Sequence, residues 1–144
     1  MDASKVLVAT VNVVWFGLAF SLFALRPRRA VKMLTRRDSG TEASFEALVA
    51  SLPFLGGMNL GMAVLSGAAI ASWAISGSVP GWPVFLSSAV AHASQFAFNL
   101  PIALRGGRRG GAPWDIRGPM AFIFVVDALC TLLNSGIVIE TGMG

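Results

Sequence analysis

The sequence predicts an all-α integral membrane protein, an antiparallel four-helix bundle with both termini extracytoplasmic. Three observations predict it. The 144 residues are 55% hydrophobic and only 12% charged, whereas a soluble domain has about a quarter charged residues. Four apolar stretches, each long enough to cross a bilayer at about 1.5 Å per helical residue, take up most of the chain. The basic residues fall almost entirely between those stretches. No room is left for a separate soluble domain, so residues 1–144 read as a single membrane domain with spans over 6–25, 53–76, 82–104 and 118–140.

The first span, 6–25, has one strongly polar residue, Asn12. A cleaved signal peptide carries its charges before a shorter apolar run; here Arg26, Arg28 and Arg29 follow it, and no small-residue cleavage pattern comes after Leu25. The span is therefore expected to be retained. The basic segment RPRRAVKMLTRRDS comes next. Ala30, Val31 and Leu34 could share one face of a short interfacial helix. An ordinary positive-inside loop is the preferred reading. Arg28, Arg29, Lys32, Arg36 and Arg37 here, with Arg108 and Arg109 in a later loop, are expected to contact anionic lipid headgroups.

Ser39 and Glu42 have capping-box spacing, so a helix is expected to begin near Gly40. Pro53 should kink it or mark the membrane boundary. In the second span, Gly57 and Gly61 stand four apart, a spacing that lets another helix approach closely. GSVPG is an uncharged turn. Pro83 suits the first turn of the third span, where a missing N–H costs nothing, and Pro101 should bend or end its last turn. The loop RGGRRGGAPWDIR has four arginines and four glycines without phosphate-loop spacing, so it is not read as a nucleotide site. Gly118-Pro119 opens the fourth span.

Charge sets the orientation. The first loop has six Lys and Arg and the third has four; the N-terminus has only Lys5, and the remaining segments have none. This bias places both basic loops in the cytoplasm. No nucleic-acid motif appears, so the basic residues point to the membrane surface.

Polar residues inside the spans form stripes. Ser88, His92, Gln95 and Asn99 share one face of the third span; Asp127, Cys130, Thr131 and Asn134 share one face of the fourth. Gly56, Asn59, Ala63 and Ser66 do so on the second. Counting from the cytoplasmic ends puts Asp127 level with Gln95, and His92 level with Cys130. The predicted midplane band is Asn12, Asn59, His92, Gln95, Asn99, Asp127 and Asn134. Two explanations compete for it. One is hydrogen bonding across helices, at about 0.6–2 kcal/mol per contact. The other is that Asp127 and His92 form a protonatable pair or line a cavity, because intramembrane carboxylates often mark ion or proton paths. One histidine and one cysteine, His92 and Cys130, make bis-histidine haem ligation within one chain impossible and point away from a zinc site. No disulfide can form within the chain.

The basic segment containing Arg26 and Pro27 after the first span, the Gly56-Gly57 pair early in the second, and two further spans resemble the DoxX-like group of small bacterial four-helix membrane proteins. The resemblance implies the bacterial inner membrane and an association with membrane redox or quinone-linked complexes. It carries no catalytic residue onto this chain. The sequence specifies no cofactor and no recognisable catalytic set, and so leans against an enzyme. The leading expectation is a non-catalytic subunit, scaffold or self-associating bundle, as a homo-oligomer or within a larger membrane complex. The alternatives are a small proton- or solute-translocating oligomer using Asp127 and His92, or a lipid- or quinone-binding protein or enzyme with a midplane polar pocket.

Overall fold

The structure, a computed structural model, describes residues 2–34, 42–79, 81–105 and 118–142. Those residues form five helices: α1 Asp2–Phe23, α2 Pro27–Leu34, α3 Glu42–Ser76, α4 Trp82–Leu104 and α5 Pro119–Gly142. Three of them, α1, α3 and α5, are long and apolar enough to cross a membrane. The 23 residues of α4 have the length, but Ser88, His92, Gln95 and Asn99 lower its hydropathy below the others.

Local chemistry accounts for the helix ends. Gly77 adopts φ +73°, the left-handed conformation that ends a helix, and its N–H donates to Trp73 O at 2.8 Å. Gly81 is extended at φ −65°, ψ −171° and stands at the start of α4, with Pro83 in its first turn. The capping-box expectation falls on Ser39, outside the described residues. From Glu42, α3 runs without a break through Pro53 for 35 residues, about 52 Å. That exceeds a hydrocarbon core of about 30 Å, so the polar first turns of α3 extend beyond one.

The segment after α1 is a helix, which corrects the preference for a loop. Pro27 occupies its first position, and the Ala30 N–H donates to Arg26 O at 3.0 Å. Ala30 and Val31 are buried, 0% and 2% exposed, while Arg28, Arg29 and Lys32 remain outside. Burial of that one small apolar face against α1 and α3 stabilises a helix too short to form alone. Arg28 makes a bidentate ion pair with Glu46, both contacts at 2.8 Å, which ties α2 to the first turns of α3.

The long helices pack side by side in two pairs, α1 with α3 and α4 with α5, and the pairs meet mainly along α1 and α5. Matched contacts give the directions. Gly56 lies against Ala24 and Gly67 against Val13, so α1 and α3 are antiparallel. Asn12 meets Asn134 and Trp15 meets Asp127, so α1 and α5 are antiparallel. Phe96 stacks on Phe124 at 4.6 Å, and His92 meets Asp127, giving the same relation for α4 and α5.

Gly57 and Gly61 do not face another helix among the described residues. Both are exposed, and a methyl group added to either would meet nothing within 4 Å. The close approach belongs to Gly56, where an added Cβ would stand 2.6 Å from the backbone nitrogen of Ala24. The face α3 buries carries Gly56, Asn59, Ala63, Ser66 and Ala69, about 100° away from Gly57.

Candidate functional site: a buried polar cluster

The interior is more polar than the exterior. Asn12, Ser66, Ser88, His92, Asp127 and Asn134 are each 0% exposed, while Phe54, Ile75, Phe98 and Leu104 are more than three-quarters exposed. A soluble fold has the opposite distribution. Helix periodicity creates it: each stripe faces the neighbouring helices, and the rest of each helix faces out.

Asp127 is the centre of the cluster. Its Oδ1 is hydrogen-bonded to His92 Nδ1 at 2.9 Å and accepts from Trp15 Nε1 at 3.1 Å. The three side chains come from α5, α4 and α1, so one oxygen joins the two helix pairs. Phe16 covers the histidine, its ring stacked 4.6 Å from the imidazole at 21°. Further along the α1–α5 seam, Asn12 Nδ2 donates to Asn134 Oδ1 at 2.8 Å and Asn134 Nδ2 donates to Asn12 Oδ1 at 3.0 Å. Asn134 Nδ2 also donates to Cys130 O at 2.8 Å. The Cys130 thiol makes no hydrogen bond to His92 or Asp127 among the described residues.

Among the described residues, four buried atoms have no hydrogen-bond partner: Asp127 Oδ2, His92 Nε2, Ser66 Oγ and Ser88 Oγ. If Nδ1 donates to the carboxylate, a proton on Asp127 would sit on Oδ2, and the second ring proton of a cationic His92 sits on Nε2.

The predicted band is thus partly assembled. Asn12, His92, Asp127 and Asn134 come together. Gln95 does not reach Asp127: α4 is offset by about one turn from flush helix ends, so His92 takes the place depth counting gave to Gln95. Asn59 and Asn99 are bonded within their own helices, Asn59 Nδ2 to Leu55 O and Asn99 Nδ2 to Gln95 O. Sequence reasoning missed Trp15, although its spacing of three from Asn12 puts the two on one face of α1. Of the cationic lipid contacts expected, Arg28, Arg29 and Lys32 are exposed on α2; Arg36, Arg37, Arg108 and Arg109 lie outside the described residues.

Two adjoining cavities of about 200 and 220 Å³ flank Trp15. Gln95 lines the first, which extends to Met33 of α2. Neither is lined by Asp127 or His92. Comparison with protein-family models, curated proteins and solved structures gives no match.

Proposed function

We propose that this is a four-span membrane protein, with both termini extracytoplasmic, that works as a non-catalytic self-associating subunit. The observation that carries the reading is the division between inside and outside. Side chains capable of chemistry, Asp127, His92, Ser66 and Ser88, have no exposed surface. The glycine face of α3, Gly57 and Gly61, points outward with open space beyond it. Small residues four apart on an outward-facing surface suit close approach by a second helix, and none approaches among the described residues. The test is crosslinking in native membranes. The one native cysteine, Cys130, is buried, so Gly57→Cys and Gly61→Cys provide the only accessible thiols. Disulfide-linked dimers for both, and none for a Leu55→Cys control, exposed but on the opposite side of α3, are expected. Equal crosslinking at all three positions would leave that face to lipid.

A second reading, proton handling by Asp127 and His92, is favoured by one specific observation: Asp127 Oδ2 and His92 Nε2 are buried with no partner among the described residues. Those are the atoms at which a transferable proton would reside.

A further inference from the structure

The α1–α5 seam closes around Trp15, but on the α2 side it opens into a groove. The cavity of about 200 Å³ there has walls from Leu18 and Leu22 of α1 and Phe122 and Ile123 of α5, and it ends at Met33 of α2. Along α1 it runs from Trp15 to Phe23, roughly 12 Å of helix axis. Its surface is nearly all hydrocarbon. Trp15 Nε1 is already bonded to Asp127, which leaves the Gln95 amide as the polar group available inside.

Charge gathers at one end. Arg29 stands one turn before Met33 on the same face of α2, and Lys32 is adjacent in sequence; both are exposed, with no carboxylate partner among the described residues. Arg28, by contrast, is held by Glu46. Pro119, the first residue of α5, also lines the groove, so the partial positive charge of that helix terminus lies at the same end. An apolar groove that ends at Met33, with Arg29 and Lys32 exposed on the same short helix and a helix N-terminus beside it, matches an amphiphile with an anionic head and an apolar tail.

We propose that the groove between α1 and α5 holds an acyl chain of an anionic phospholipid, with the headgroup phosphate on Arg29 and Lys32. This rests on the chain being a membrane protein and not on its self-association. A quinone would suit the aromatic wall, but it would leave the cationic mouth unused.

The test is native mass spectrometry of the detergent-purified protein titrated with phosphatidylglycerol and with phosphatidylcholine of identical acyl chains. Phosphatidylglycerol is expected to bind roughly tenfold more tightly or better, given two cations near the phosphate. Its advantage should shrink with salt. Arg29→Gln/Lys32→Gln, both at exposed positions, should remove the preference and leave phosphatidylcholine binding unchanged. Leu22→Trp, which fills the groove, should weaken both lipids. Equal binding of the two lipids by the native chain would overturn the proposal, as would a preference that survives the double variant. A ubiquinone analogue that displaces phosphatidylglycerol from the double variant and the native chain alike would assign the groove to a quinone. Because the crosslinking test reads the α3 face alone, either proposal can fail without the other.

Discussion

At the residue scale, Asp127 is the most consequential side chain. Burying a carboxyl group at membrane depth is costly unless donors meet it, and here two donors meet one oxygen. Asp127→Asn keeps an acceptor for both, so folded yield should be preserved. Asp127→Leu leaves His92 Nδ1 and Trp15 Nε1 without an acceptor, at about 1–3 kcal/mol for each stranded group. Its melting temperature in detergent should fall well below that of the Asn variant. Proton flux in liposomes, measured on the same two proteins, separates clamp from conduit. A well-folded Asn variant that loses a flux present in the native chain establishes proton handling. A native chain without flux leaves the cluster as a clamp. A Leu variant as stable as the native chain would refute both roles.

At the scale of elements, the glycines of α3 divide between two tasks. Gly56 permits contact with α1: a Cβ there would fall 2.6 Å from Ala24 N, and backbone cannot swing aside as a side-chain tip can. Gly56→Ala should therefore destabilise the fold by about 1–3 kcal/mol, the range for overpacking, read as a lower melting temperature. Gly57→Leu adds bulk where nothing stands within 4 Å. It should leave that temperature unchanged while abolishing the crosslink between neighbouring Gly61→Cys copies. If Gly57→Leu proved the more damaging of the two, the rotation of α3 about its axis would be wrong.

At the scale of the whole molecule, the polar interior and apolar exterior describe a protein whose solvent is lipid. The alternation of helix directions and the basic character of α2 make one topology testable. Thiol-reactive probes that cannot cross membranes should label Lys32→Cys and Gly142→Cys from opposite faces of the cell membrane. Labelling of both from one face would exclude an even number of spans with extracytoplasmic termini.

Much of this was legible in the sequence because period and hydropathy are local properties. Residues four and three apart share a helix face whatever lies opposite, so the stripes through His92 on α4, Asp127 on α5 and Ser66 on α3 follow from spacing alone. The apolar lengths of α1, α3 and α5 do too. Tertiary structure decided the rest. The axial offset of α4 against α5 made His92, not Gln95, the partner of Asp127. The rotation of α3 made Gly56, not Gly57 and Gly61, the point of close approach. Burial of Ala30 and Val31 turned a basic segment into α2. Trp15 became a ligand of the carboxylate only because α1 crosses α5 at that height. Helix periodicity specifies which side chains travel together; how far one helix slides and turns against its neighbour is set by side-chain packing over the entire contact, which no single segment contains.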